Sequence, residues 1–319
     1  IINWVKQRYD LIVTKEVINF VPGIVPGIGM AMNCFTQKGD KVMIQPPVYH
    51  PFAWVTTRNE RTLVINPLKW ENGMYRMDLD AFREQIKGCK LFILCNPHNP
   101  GGVVWTEAEL RAIADICYDE KVLVFSDEIH ADLTLPPHTH RPFATVSEKA
   151  RMNSVTFMSP SKAFNMPGLS ASHALIFNED LRKRFRIYMD AGELDMGHVF
   201  AFLSVEAAYS HGTEWLDQCL AYIQGNIDFV DDFLKNHAPK IKAIRPEASY
   251  LVWLDCRELE LSQKDLNEFF VDKAHLALND GEMFGKEGIG FMRLNVASPR
   301  CIIEKAMKQL ADAYQLYIK

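Results

Sequence analysis

Val155-Thr156-Phe157-Met158-Ser159-Pro160-Ser161-Lys162-Ala163-Phe164-Asn165-Met166-Pro167-Gly168-Leu169 is the stretch from which the rest of the chain is read. Its first four residues make a short apolar run of the kind a buried strand makes. Lys162 therefore stands just past a strand end, where open α/β sheets place their ligands. Ser159 and Ser161 carry hydroxyls that can bond a phosphate, and Pro167-Gly168 bends the backbone before any helix can start. Taken alone, the lysine fits equally well as a solvated loop side chain.

The same pattern recurs along the chain. Lys41 to Gln45 reads as a strand running into Pro46-Pro47-Val48-Tyr49-His50-Pro51-Phe52, expected to be a rigid extended loop that carries aromatics. Arg61 to Asn66 is another strand, and Leu79 to Ile86 has helical spacing. Lys90-Leu91-Phe92-Ile93-Leu94-Cys95 is a continuous apolar strand of the type buried on both faces, ending in Asn96-Pro97-His98-Asn99-Pro100-Gly101-Gly102. Thr106 and Glu109 have the spacing of a capping box that opens the next helix. Val122 to Ser126 is again a buried strand and delivers Asp127-Glu128-Ile129-His130, while His173 to Phe177 completes the sheet.

Earlier in the chain, Val17 to Val21 reads as a short strand, followed by Pro22-Gly23-Ile24-Val25-Pro26-Gly27-Ile28-Gly29 and an apolar helix through Phe35. A glycine-rich turn that opens a helix presents backbone N–H groups and a positive dipole end to a phosphate, although Pro26 removes one donor. Strands alternating with helices imply right-handed crossovers and an α/β fold: a mostly parallel sheet with helices on both faces. Tyr49, Asn99, Asp127 and Lys162 then come from four separate loops to one edge of one sheet. Packing alone does not require that convergence.

From Glu179 to about Asn236 the spacing is helical, with a long amphipathic stretch from Trp215 that ends near His237-Ala238-Pro239. Beyond it the pattern becomes α+β. Ile241 to Ile244, Tyr250 to Leu254, Leu276 to Leu278 and Phe291 to Val296 read as strands, Gln263 to Lys273 and Cys301 to Tyr317 as helices. We therefore expect a large domain over residues 1–238 and a smaller C-terminal domain over residues 239–319. The opening Ile1-Ile2-Asn3-Trp4-Val5 reads as the middle of an uncapped amphipathic helix and lacks a methionine, so a fragment is expected.

A net charge of -5 leaves no basic footprint, which makes nucleic acid and anionic membrane poor partners and a small molecule the better expectation. No apolar run approaches the length of a membrane span. Cys34, Cys89, Cys95, Cys117, Cys219, Cys256 and Cys301 are dispersed, without metal-ligand spacing. They read as buried free thiols in a reducing cytoplasm.

An amine, a buried carboxylate, an asparagine, an aromatic ring and a phosphate cradle together suit pyridoxal phosphate. Lys162 would bond the cofactor aldehyde as an imine, and Asp127 would keep the pyridine nitrogen protonated so that the ring draws electrons. Asp127-Glu128-Ile129-His130-Ala131-Asp132 also contains metal-ligand residue types, but no second cluster accompanies them, and a metal is the weaker expectation.

Asn99-Pro100-Gly101-Gly102, Ser126-Asp127-Glu128-Ile129-His130, Ser159-Pro160-Ser161-Lys162 and Arg293-Leu294-Asn295 follow the order seen in fold type I pyridoxal-phosphate enzymes. The chain resembles the class I/II aminotransferase superfamily over nearly its whole length. Pro46-Pro47-Val48-Tyr49, Asn96 to Gly102 and Glu247 to Asp255 resemble its cystathionine β-lyase or C–S lyase branch. The resemblance implies that Lys162 forms the Schiff base, Asp127 partners the pyridine nitrogen, Asn99 bonds the phenolic oxygen and Tyr49 stacks on the ring. It implies that Ser159 and Ser161, with backbone of the Val25-Pro26-Gly27 turn, bind the phosphate, and that Arg293 clamps a substrate α-carboxylate through two parallel hydrogen bonds.

Two departures from the wider superfamily matter. His130, grouped here with the cofactor-binding residues, stands where many aminotransferases have a tyrosine near the phenolic oxygen; this turns the expectation away from transamination. Ser170 stands where many have a phosphate-binding arginine, which implies a phosphate site resting on hydroxyls and amides. Whole family members also carry an N-terminal arm that supplies part of the small domain, an entrance wall and a tyrosine reaching the partner subunit's phosphate. That arm is expected to lie outside this chain. The resemblance further implies a homodimer acting on a small amino-acid substrate. The expected reaction is β-elimination from cystathionine or a cysteine S-conjugate, giving pyruvate, ammonia and a thiol. Transamination is the alternative, and a non-catalytic cofactor-binding or regulatory protein a second one.

Overall fold

The strand-then-loop pattern becomes a seven-stranded sheet. In the computed structural model, which describes residues 1–318, the chain runs α1 (Ile2–Tyr9), β1 (Ile18–Val21), α2 (Ile24–Phe35), β2 (Lys41–Ile44), α3 (Pro51–Arg58) and β3 (Thr62–Ile65). A hairpin of β4 (Lys69–Glu71) and β5 (Met74–Arg76) leads to α4 (Leu79–Gln85), β6 (Cys89–Cys95), α5 (Glu107–Asp119), β7 (Leu123–Asp127), α6 (Glu148–Met152), β8 (Ser154–Met158) and β9 (Ser172–Leu175). Three helices follow, α7 (Glu179–Ala191), α8 (Val199–His211) and α9 (Thr213–His237). The chain closes with β10 (Lys242–Ile244), β11 (Leu251–Asp255), α10 (Gln263–Glu268), β12 (Asn279–Asp280), β13 (Phe291–Asn295) and α11 (Arg300–Tyr317).

The large sheet has the order β1-β9-β8-β7-β6-β2-β3. β3, β2, β6, β7 and β8 are parallel, and β9 runs against both of its neighbours. Every residue of β8, and all of β6 except Lys90, is buried. The cause is helices on both faces: Phe82 of α4 and Ile113 of α5 pack on one side, Ile28 of α2 and Phe185 of α7 on the other. Each such fully buried side chain contributes about 1.5–3 kcal/mol. The register pairs Cys95 with Asp127 and Asp127 with Phe157, so β6, β7 and β8 end level and their loops leave from one edge. α5 opens with the expected capping box: Thr106 Oγ1 accepts from Glu109 N at 3.2 Å, and Glu109 Oε2 accepts from Thr106 N at 2.8 Å.

The second sheet is antiparallel, in the order β10-β11-β13-β12. It packs with α9 and α11 in a core that includes Leu220, Ile227, Met307 and Leu310. Trp4 and Val5 of α1 belong to the same core, so the apolar faces of α1 and α9 cross the boundary drawn near residue 238.

Several expectations are corrected. Leu276 to Leu278 is not a strand; the chain pairs with β13 only at Asn279–Asp280. Leu276 and Leu278 are apolar because they pack against the core, which a three-residue run cannot distinguish from pairing. The aromatic loop after β2 turns helical at Pro51, which occupies the first turn of α3 where its missing N–H is not needed. The β4–β5 hairpin turns at Asn72-Gly73, both with positive φ (51° and 81°), the conformation that favours Asn-Gly. The cysteines are free, but Cys301 is exposed and Cys34 and Cys219 are only half-buried. Among the described residues no helix is long and apolar enough to cross a membrane.

Candidate active site

β8 ends at Met158 and the chain turns at once. Ser159 Oγ donates to Ala171 O at 2.7 Å and accepts from Ser161 N at 3.1 Å, a local clamp that turns Ser161 and Lys162 toward a chamber at the strand ends. The chamber, about 430 Å³, is walled by Lys162, Asp127, Asn99, Tyr49, His130 and Ser161, by Val25 and Pro26 at the start of α2, and by Arg293 from the second sheet. A larger cavity of about 610 Å³ between α1 and α8 is lined mainly by apolar side chains and gathers no comparable polar set.

Burial sets the electrostatics. Asp127 is 4% exposed and its Oδ1 accepts from Ile129 N at 3.1 Å. Desolvation pushes its carboxyl up to about 7; the Ile129 bond opposes the shift, Glu128 adds to it and Lys162 opposes it. The half-buried Lys162 amine is lowered, first by desolvation and then by the Arg293 charge, with Asp127 pulling the other way. His130 is held neutral, at about 3, by burial and by Lys162 and Arg293. Its Nδ1 has no partner, and its ring stands edge-on to Tyr250 with centroids 6.2 Å apart. Burial raises the Tyr49 phenol.

Arg293 joins the two sheets. Nη1 donates to Asn99 Oδ1 at 2.9 Å and Nη2 to Asn279 Oδ1 at 2.7 Å, while Nε is buried without a partner. The guanidinium lies 4.6 Å from the centroid of the Phe284 ring. Burial lowers it to about 10, with Tyr49 and Tyr250 opposing the shift. It therefore remains a cation with donors free for a carboxylate.

Two of the residues expected at the phosphate site lie differently. The one proton of the Ser159 hydroxyl goes to Ala171 O, so Ser159 builds the turn behind Ser161 instead of facing the chamber. Gly27 N donates to Gly23 O at 2.9 Å and closes the first turn of α2. The amides left at that helix end are those of Ile24 and Val25, since Pro26 has none. Sequence reasoning missed Tyr250, Asn295, His50 and Cys95 as wall residues and Asn279 as a partner of Arg293. For Tyr250 the signal was an aromatic directly before a buried strand; Asn279 gave none. No group of three His, Cys, Asp or Glu able to hold a metal ion occurs among the described residues.

A lysine and a buried carboxylate thus share one chamber with a helix N-terminus and an arginine. Residues 1–310 match the family model for aminotransferase class I and II. The chain belongs to that family. Over 312 residues it is 38% identical to the cystathionine beta-lyase PatB of Bacillus subtilis (strain 168), a match covering 97% of this chain and 81% of PatB. Its structure superposes on cystalysin from Treponema denticola, which contains a pyridoxal 5'-phosphate cofactor, with a TM-score of 0.97 and 34% identity over 100% of this chain and 81% of that one. A putative aminotransferase from Clostridium difficile 630, bound to PLP, gives a TM-score of 0.96 at 39% identity over 98% and 81% of the respective chains. This class I/II fold is the large mixed sheet with flanking helices described above.

Proposed function

We propose that this chain is a pyridoxal 5'-phosphate-dependent C–S lyase, which eliminates the Cβ substituent of cystathionine or a cysteine S-conjugate to give pyruvate, ammonia and a thiol. The observation that carries the reading is Asp127, a buried carboxyl that desolvation pushes up to about 7, in one chamber with a lysine whose amine burial makes less basic. A protonated ring nitrogen satisfies that carboxylate. Ser161 and the Ile24 and Val25 amides at the positive end of α2 suit a phosphate, so the residues present fit the cofactor.

Bound there, the cofactor supplies the sink for the electron pair left on Cα. The chain's residues do the rest. Asp127 would hold a proton on the ring nitrogen, Asn99 would donate to the phenolic oxygen, and Tyr49 would cover one ring face. Arg293 would take the substrate carboxylate and so orient Cα within the chamber that Lys162 shares. The Lys162 amine, made less basic by desolvation and by the Arg293 charge, would accept the Cα proton. The thiolate then departs from Cβ.

The lyase reading draws support from PatB and cystalysin and from His130, which presents a neutral ring in the wall and no phenol. Transamination is the second reading, favoured by the putative aminotransferase above. Incubation with cystathionine should release pyruvate and free thiol without any oxo-acid acceptor. Turnover that requires 2-oxoglutarate, with no thiol released, would overturn the lyase reading. A homodimer is part of the proposal, supported by the exposed apolar side chains Met196, Val199, Phe200, Phe202 and Leu203 at the start of α8. So are a two-domain division near residue 238, supported by the end of α9 at His237, and a cytoplasmic location, supported by the free cysteines.

A further inference from the structure

Directly after Asp127 stands a second buried carboxylate that the reaction above does not use. Glu128 is 1% exposed. Its Oε1 accepts from Ser126 Oγ and from Phe143 N, each at 2.8 Å, and its Oε2 meets Nε2 of the fully buried His140 side chain at 2.8 Å. Neither Glu128 nor His140 reaches the chamber wall. Stability does not explain them, because a well-packed apolar pair of similar volume does as well as a buried ionisable one. Their effect is geometric.

Ser126 and Glu128 flank Asp127, and alternate residues of a strand share a face. The Ser126–Glu128 bond therefore keeps this strand end extended with Asp127 turned the other way, into the chamber. The loop that supplies His140 and Phe143 also supplies Arg141 O, which accepts from Asn96 Nδ2 at 3.2 Å. Asn96 N in turn donates to Asp127 O at 2.9 Å. The bonds form a closed circuit from Asp127 through Glu128, His140 and Arg141 to Asn96 and back. Asn96 begins the loop that carries Asn99.

We propose that Glu128 and His140 are a positioning pair that fixes Asp127 and Asn99 relative to each other and so sets how the cofactor ring is held. This rests on the functional reading in taking those two residues as the ring's partners.

The test uses the full chain reconstituted with pyridoxal 5'-phosphate. It reads the cofactor Kd by equilibrium dialysis, the visible absorption band of the bound cofactor, and kcat and KM separately. For His140→Ala the Kd should rise about tenfold, the loss expected when a buried hydrogen-bonded partner is removed. The band should shift, kcat should fall with KM for the amino acid little changed, and free imidazole should bring the Kd back by filling the vacated space. Glu128→Gln keeps the shape and the two bonds to Oε1, so its Kd should rise about threefold. Leu110→Ala, in the core under α5, should lower the melting temperature and leave both Kd and band in place. A Kd within about twofold of wild type and an unmoved band in both variants would overturn the role of the pair, whatever their melting temperatures. If His140→Ala does not fold, Glu128→Gln decides by the same readouts. Wild-type protein that takes up no cofactor would overturn the functional reading itself.

Discussion

Asp127→Asn should make the cofactor-free protein more stable while removing its activity. Burial holds the carboxyl at about 7 in the native state, roughly three units above an unperturbed aspartate near 4. Below about pH 4 both states carry the proton and the substitution is neutral. Between about pH 4 and 7 the unfolded chain releases its proton and the native chain keeps it, so wild-type stability falls as pH rises; above about 7 the whole penalty stands. Three units correspond to about 4 kcal/mol. Asparagine keeps an acceptor for Ile129 N, and its amide faces the chamber. With an unfolding entropy of about 2.1 cal/mol/K per residue, 319 residues convert that figure to about 6 °C in Tm at pH 8, and the smaller penalty at pH 5 to about 2 °C. Thermal unfolding of cofactor-free protein, followed by circular dichroism at pH 5, 6, 7 and 8, measures the gap directly. An asparagine variant that melts at or below wild type at pH 8, or a gap that does not change with pH, would refute the reasoning. Pyruvate release by the same variant should fall by about a hundredfold or more, since a neutral amide cannot hold the ring nitrogen protonated.

Lys162→Ala should release no pyruvate, and borohydride treatment with cofactor should raise the mass of wild type but not of the variant. Arg293→Lys should raise KM by about tenfold or more, because an ammonium cannot offer two parallel hydrogen bonds in a fixed plane. Asn279→Ala, which frees Nη2, should move KM in the same direction by about threefold, with cofactor affinity unchanged. Thr106→Ala removes the capping box of α5 and should lower stability by about 1 kcal/mol, visible as a lower urea midpoint with kcat intact.

The central strands were legible because burial on both faces leaves a mostly apolar run, and Leu91 to Cys95, Val122 to Phe125 and Val155 to Met158 are such runs. Their loops were legible because Pro, Gly, Asn and Asp end strands for local reasons. Strand direction was not: β9 is fully buried like β8 but runs against it, and only the connection through residues 159–171 decides that. Ser159 and Ser161 are chemically alike and two residues apart. What separates them is a carbonyl at Ala171, invisible in the sequence, that claims one hydroxyl and leaves the other at the wall. Asn279 could not be found because its role depends on lying opposite Arg293 in an antiparallel pair. The Asn72-Gly73 hairpin carried its signal in the sequence, since both residues tolerate positive φ.

Asn99 shows how the site divides its labour. Its Oδ1 accepts from Arg293 Nη1, a residue of the second sheet, and its backbone N–H is held by Cys95 Sγ at 3.4 Å, at the end of a central strand of the first. With its carbonyl oxygen engaged by the guanidinium, its amide N–H groups are the ones left to face the cofactor's phenolic oxygen. The bond therefore sets the flip of the asparagine that the proposed chemistry needs. It also fixes Arg293 relative to Asn99 before any substrate arrives. A carboxylate entering this chamber meets a guanidinium already oriented from both sides, by Asn99 in the loop after β6 and by Asn279 on β12. Little side-chain freedom then remains to be lost when substrate binds.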